Sequence, residues 1–252
     1  MGPANIDWGS HFGAARALLW WAKTMGTPAS DDSQVVALGV ADALQARRRV
    51  PDANFDGFLP PDLRSVSSRY WTPLRVVARA TQWLTEMRVK SVVDIGSGVG
   101  KFCIAGALGS GCTFTGVEHR PQLASVARSI AGLFNLAGRV QFVTARFGEV
   151  EIPPADCYYL FNPFGENLFE LDERLNEDAD LSHARYLDDI GRVEQLLGAA
   201  PIGTYVITYN GFGGTLPDDF EEIRIDVELP CVLRMARRRG LRSVNPLRAD
   251  RE

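Results

Sequence analysis

The chain has 252 residues, is 46% hydrophobic and carries a formal net charge of −4. That is material for one α/β domain with an extension, or at most two small domains, and it offers no global attraction for polyanions. Four scattered cysteines (Cys103, Cys112, Cys157, Cys231) without C-x-x-C spacing read as buried reduced thiols, and three histidines leave a zinc or iron site poorly supplied, so no metal ligand is assigned.

Near the start, the apolar run over 14–22 contains Arg16 and is too short to span a bilayer. A protein of a reducing compartment, the cytoplasm, with no membrane partner is expected. Residues 10–23 and 33–49 read as helices, and 51–61, marked by Pro, Asn and Gly, as a connection. Together they form a helical N-terminal cap over 1–68, ahead of a main domain over 69–240 and a flexible tail over 241–252. Trp20 and Trp21 are adjacent, so on a helix they point about 100° apart and cannot share one core contact. Residues 73–88 read as a helix with Thr72 as N-cap and proline at its first position.

From residue 91 strand and helix patterns alternate, the signature of a parallel sheet covered on both faces. Strands are predicted at 91–95, 112–118, 140–145, 156–161 and 203–209, and helices near 100–109, 121–137 and 185–199. The runs 223–229 and 231–236, joined by Pro230, read as an antiparallel pair closing the sheet. Gly211-Phe212-Gly213-Gly214 reads as a mobile loop beside the pocket.

The chemistry concentrates in Asp94-Ile95-Gly96-Ser97-Gly98-Val99-Gly100, a carboxylate ending the first strand followed by glycines at alternate positions. Such a turn permits unusual backbone angles and lets a ligand approach the main chain. A dinucleotide loop wants G-x-G-x-x-G, with a pyrophosphate at the following helix. Here Lys101 stands where that third glycine belongs, and Asp94 suits a cation or amine better than a pyrophosphate.

This stretch resembles the class I S-adenosylmethionine-dependent methyltransferases, whose first motif is D/E-x-G-x-G-x-G, and the match is complete. The resemblance covers about residues 70 to 210. It implies an α/β, Rossmann-like sheet, mostly parallel with an antiparallel terminal strand, and S-adenosyl-L-methionine as cofactor. Glu118, ending the second strand, then takes the ribose hydroxyls, a role that would serve NAD equally. Asn162-Pro163-Phe164 matches the N/D-P-P-Y/F motif of amino-group methyltransferases with one proline missing, so the aromatic is displaced by one position. In that motif the Asn side chain and the next carbonyl accept hydrogen bonds from the target nitrogen, an orientation effect. Thr72-Pro73, just upstream, matches a T-P whose helix N-terminus and hydroxyl hold the methionine carboxylate. The family's adenine-contacting aspartate is missing: Arg146 stands near its place, leaving backbone groups of Arg146 and Phe147, and the Phe147 ring, to meet the adenine.

The implied cofactor set is Tyr70, Thr72, Asp94, Gly96, Ser97, Gly98, Gly100, Glu118, His119, Arg146, Phe147 and Asn162, and the implied catalytic set Asn162, Pro163 and Phe164. Between Glu166 and Asp189 nine acidic residues meet two arginines and one histidine, which favours a cationic acceptor if the run lines the entrance. The cluster Arg234, Arg237, Arg238, Arg239 and Arg242 is the counterweight, read as solubilising charge on a terminal strand. A nitrogen on a protein or small amine is therefore the expected acceptor, ahead of a nucleic-acid amine and, third, a small-molecule oxygen. An NAD-dependent oxidoreductase and a non-catalytic binding subunit of the same fold are the rivals.

Overall fold

The computed structural model describes residues 31–168 and 182–240. The expected helix over 10–23 with Trp20 and Trp21, most of the acidic run and the tail lie outside the described residues.

Five strands rich in apolar residues make the centre of the sheet: β1 (Ser91–Ile95), β2 (Thr113–Glu118), β3 (Val140–Thr144), β4 (Cys157–Leu160) and β5 (Tyr205–Tyr209). In β1, β4 and β5 nearly every residue is buried, as expected of strands covered on both faces. Alternate side chains enter two separate cores. Val92, Phe114, Tyr159 and Ile207 face one side, and Val93, Val117, Tyr158, Leu160 and Val206 the other. These five strands run parallel, while β6 (Phe220–Asp226) and β7 (Leu233–Arg238) pair antiparallel at the edge. The order is β3-β2-β1-β4-β5-β7-β6. It reverses direction between β1 and β4, and ligands of open α/β sheets bind at such a switch, outside the carboxyl ends of the strands.

On the first face lie α1 (Asp31–Gln45), α5 (Leu74–Glu86), α6 (Lys101–Gly109) and α7 (Pro121–Leu133), with the short helices α2 (Asp52–Asp56), α3 (Pro61–Ser65) and α4 (Ser67–Tyr70) between α1 and α5. Helix α6 is buried from Lys101 to Leu108 with no polar stripe, which marks it as the innermost helix. Ala37, Val40 and Leu44 of α1 and Phe55 of α2 share one buried cluster with Ile104 and Leu108. The cap proposed over 1–68 therefore shares its core with the sheet in its described part. Helix α8 (His183–Ala199) covers the other face through Ile190, Val193 and Leu197, and Ser182 caps it by accepting the Arg185 N–H at 3.2 Å.

Several local expectations are corrected. Thr72 does not cap α5: Pro73 holds the cap position without a side-chain bond, and the Leu74 N–H goes to Asp52 Oδ1 at 2.8 Å. The connection over 51–61 contains α2. Helix α7 stops at Leu133, because Asn135 turns left-handed (φ 53°). Strand β6 begins three residues earlier than its apolar residues suggest, because an irregularity between Glu222 and Arg224 breaks the period-two pattern. The 211–214 segment is packed: Phe212 is buried, the Gly211 carbonyl accepts from Asn162 N at 2.9 Å, and a Cβ at Gly213 would meet the Tyr186 hydroxyl at 2.1 Å. All four cysteines are free; Cys103, Cys112 and Cys157 are buried as expected, whereas Cys231, beside Pro230 ahead of β7, is only partly buried. Arg234, Arg238 and Arg239 pair with Glu222, Asp219 and Glu221, and Arg237 lies over the Tyr205 ring, in keeping with charge that supports the terminal strands.

Gly100 has φ 74°, and a Cβ there would lie 2.4 Å from Phe142 Cζ and 2.9 Å from Ala127 Cβ. Gly100→Ala is expected to cost at least about 2 kcal/mol, combining left-handed strain with overpacking. Gly132 has open space around its Cβ position, and Gly132→Ala is expected to be neutral or to stabilise by up to about 1 kcal/mol. Urea unfolding of the two variants checks the contrast.

Candidate active site

A cleft of about 1330 Å³ opens over the carboxyl ends of β1, β4 and β5, at the switch point. Its floor is the turn after β1. Gly96 N and Ser97 N both donate to the Val117 carbonyl, at 2.9 and 3.0 Å, which ties the turn to β2. Gly96, Gly98 and Gly100 all have positive φ. The approach is close: a Cβ on Gly96 would lie 2.8 Å from Pro163 Cβ, and one on Gly98 would lie 2.5 Å from the Trp71 ring. Bare backbone is thus the only surface that fits between β4's exit and the chain before α5.

Glu118 is welded to this turn. Its Oε2 accepts the Gly98 N–H at 2.9 Å, its Oε1 accepts the Arg120 N–H at 2.9 Å, and His119 Nδ1 stands 3.2 Å away. Burial pushes its carboxyl up, but His119, the Arg120 amide and the Arg120 charge outweigh burial and hold it below the ordinary range. It is ionised at neutral pH, and each oxygen keeps lone-pair capacity for a further donor.

Behind the turn lies a buried polar group. Asp94 Oδ2 accepts from the Cys103 thiol at 3.3 Å, Tyr159 and Thr72 share a hydroxyl hydrogen bond of 3.0 Å, and Phe102 stacks on the Tyr159 ring at 3.5 Å. Burial pushes the Asp94 carboxyl up to about 7; the Cys103 bond opposes this and Glu118 adds to it. The Cys103 thiol and Tyr159 phenol, buried beside that carboxyl, are both raised well above their ordinary values.

Lys101, the first residue of α6, is 2% exposed. Its ammonium is held by Asp52 at 2.7 Å and Asp56 at 2.8 Å, with Ser67 Oγ at 3.4 Å and the Phe55 ring 5.9 Å away. A cation at a helix N-terminus opposes the macrodipole, and the two carboxylates of α2 offset it. Asp52 serves twice, since the same oxygen accepts from Leu74 N at the start of α5.

A smaller cavity of about 50 Å³ lies beside the cleft, lined by Val117, Ala145, Phe147, Phe164 and Asn167 among others. The Arg120–Glu166 ion pair (2.8 Å) borders both spaces. The Phe147 and Phe164 rings stand 5.9 Å apart.

At β4's exit Asn162 has φ 38°; its N–H donates to Gly211, its carbonyl accepts from Gly165 N at 3.0 Å, and its amide lies over Gly165. Among the described residues that amide has no hydrogen-bond partner, and it faces the cleft. Asn210, at β5's exit, repeats the left-handed conformation (φ 58°) and lines the same cleft.

Of the residues singled out in the sequence, Tyr70, Gly96, Gly98, Glu118, His119, Asn162 and Pro163 line the cleft. Phe147 and Phe164 line the small cavity, Thr72, Asp94, Ser97 and Gly100 stand behind the surface, and Arg146 lines neither. Trp71, Asp52, Asp56, Arg75 and Asn210 were not foreseen. The i, i+4 spacing of Asp52 and Asp56 was the available signal for a helix face aimed at one cation.

No family model matches the sequence, and no curated protein matches it. Among solved structures, cofactor-bound Rv0187 from MTB aligns over 90% of this chain and 96% of its own at 16% identity, with a TM-score of 0.50. An RNA methyltransferase from Salinibacter ruber, in complex with S-adenosyl-L-homocysteine, aligns over 67% of this chain and 94% of its own at 22% identity, TM-score 0.48. The mitomycin 7-O-methyltransferase MmcR aligns over 74% of this chain and 57% of its own at 17% identity, TM-score 0.48. The likeness is one of fold: a mostly parallel, Rossmann-like α/β sheet with an antiparallel edge. Among the described residues, no helix is long and apolar enough to cross a membrane, and no cluster of His, Cys, Asp and Glu could hold a metal ion.

Two measurements check the buried charges. Lys101→Met strands Asp56 without its partner and is expected to lose about 3 kcal/mol in urea unfolding, with part regained in Lys101→Met/Asp56→Asn. For Asp94, the raised folded value means that the native state holds its proton more tightly than the unfolded chain. Stability is therefore full below pH 3.8 and falls as pH rises toward about 7. Asp94→Asn lacks that loss, so its stability relative to the parent is expected to climb from pH 4 to 7 by up to about 4 kcal/mol; thermal melts across the range would show a flat difference if the carboxyl titrates normally.

Proposed function

We propose that this protein transfers a methyl group from S-adenosyl-L-methionine to a nitrogen nucleophile of a small amine, held beside Asn162. The observation carrying the reading is the join between Glu118 and the glycine turn: an ionised carboxylate locked onto the Gly98 amide, beside left-handed backbone that tolerates no Cβ. That arrangement suits a ligand with a vicinal diol and a slender chain lying along the main chain. The one cation at the start of α6 is neutralised by Asp52 and Asp56, which argues against a pyrophosphate cofactor at that helix. Thr72 and the α5 N-terminus, whose hydroxyl and Leu74 N–H are taken by Tyr159 and Asp52, support the turn from behind.

When bound, the cofactor supplies an electrophilic methyl on a sulfonium. The chain's own contribution is alignment and exclusion of water. Gly96, Gly98 and Glu118 hold the donor, Phe147, Phe164 and Pro163 form the apolar wall beside it, and the Asn162 amide oxygen accepts a hydrogen bond from the target nitrogen, keeping its lone pair aimed across the cleft. The acidic run that favoured a cationic acceptor falls mostly on residues outside the described part, whereas four acids of the cleft, Asp52, Asp56, Glu166 and Asp226, are already in ion pairs.

Calorimetric titration with S-adenosylhomocysteine and with NAD is expected to show binding of the former only. Glu118→Ala is expected to weaken it at least about tenfold, and Asn162→Ala to spare binding while removing labelled-methyl transfer to a metabolite extract. Tight NAD binding, or undiminished transfer by Asn162→Ala, would overturn the assignment.

A further inference from the structure

Strand order sets the layout of the cleft. Glu118 ends β2 and the glycine turn follows β1; Asn162 stands one strand further on, at β4, and Asn210 another, at β5, about 5 Å per step. The far end lies where α5 crosses β5, β7 and β6. There Arg79 is fixed by Asp226 at 2.6 Å, and Arg75, one helical turn earlier on the same face of α5, lies near Tyr209 at the end of β5.

The charges lining the cleft are unbalanced. Arg79 and Asp226 cancel. Arg75 is exposed and has no ion pair or hydrogen bond among the described residues; of the other cations lining the cleft, Arg49 likewise has none and Arg47 reaches only the Thr85 hydroxyl at 3.3 Å. Against them stands one acid of the cleft without an ion pair, Glu228. A chain of net charge −4 thus presents surplus positive charge along its cleft, where low-dielectric walls strengthen the field, and Arg75 is the unpaired cation at the β5 end. The floor between is apolar and aromatic: the Phe161 and Tyr209 rings stand 4.8 Å apart.

We infer that the acceptor is a small molecule carrying an anionic group, phosphate or carboxylate, which Arg75 receives while its body lies over Phe161 and its nucleophile meets Asn162 and Asn210. This names the substrate class of the reaction proposed above and rests on that reading. Size supports a small acceptor: single-ligand sites occupy about 300–1,000 Å³, so a cleft of about 1330 Å³ has room for a cofactor and one further small ligand. Arg75 lies over β5, two strands from the glycine turn, which assigns the anion to the acceptor and not to the cofactor's own carboxylate.

The test is a titration of the full chain, free and saturated with S-adenosylhomocysteine, with phenyl phosphate, benzoate, benzylamine and a single-stranded oligonucleotide, followed by tryptophan fluorescence. Phenyl phosphate or benzoate is expected to bind at least about tenfold more tightly than benzylamine, and to lose at least about tenfold in Arg75→Gln, the loss of one charge-assisted hydrogen-bonded pair. Whichever of the two anions binds more tightly identifies the group. Arg75→Lys is expected to regain part of the affinity, and Arg75→Gln to leave the melting temperature and S-adenosylhomocysteine affinity unchanged. Equal anion binding in Arg75→Gln, preference for benzylamine, or a fall in S-adenosylhomocysteine affinity would each overturn the inference. So would an oligonucleotide binding far more tightly than either small anion. Failure of S-adenosylhomocysteine to bind sinks the cofactor reading instead, and Arg75-dependent anion binding by the free chain would still stand.

Discussion

A buried ammonium with no water to solvate it must find carboxylates, and Lys101 finds two on the same short helix. That requirement organises the site. It fastens α2 against the first turn of α6, and through the shared oxygen of Asp52 it also fixes where α5 begins. The position of α5 places Trp71 over Gly98 and Arg75 over the sheet's edge. One side chain directly after the glycine turn thus couples the helices before residue 70 to both ends of the cleft.

The turn itself is held by steric exclusion as much as by hydrogen bonding. Three left-handed glycines, two bonds to the Val117 carbonyl and the Glu118 carboxylate make it rigid, and Pro163 and Trp71 close on it from opposite sides. The polar pair Asp94–Cys103 lies underneath, out of solvent. The carboxylate that opens the motif accordingly acts from behind the backbone, while Glu118 meets the cleft directly.

What could be read from residue order was whatever depends on local period. The parallel strands appeared as short Val- and Tyr-rich runs, and β1 coincides with its predicted limits, because both of its faces are buried. The glycine turn and Glu118 were legible because spacing alone defines them. Features set by distant partners were hidden. Thr72 looks like a cap until Tyr159, from β4, takes its hydroxyl, and Asp52 looks like a loop residue until Lys101 and Leu74 are brought to it. Gly213 and Gly214 look loose because the side chains that pack on them, Tyr186 and Glu194, belong to α8. Arg75 reads as an ordinary surface charge on an amphipathic helix, and only the sheet order shows that its neighbours are the ends of β5 and β6.

The three buried cysteines have a consequence of their own. Cys103 on α6, Cys112 before β2 and Cys157 in β4 are closed off from solvent, and burial pushes each thiol up. The thiolate is the species that reacts with oxidants and alkylating reagents, so the folded core is chemically silent toward both. Reaction at these sulfurs requires the sheet to open, which turns the rate of thiol modification into a clock for the opening of the fold and makes Cys231, the partly exposed one, the built-in reference.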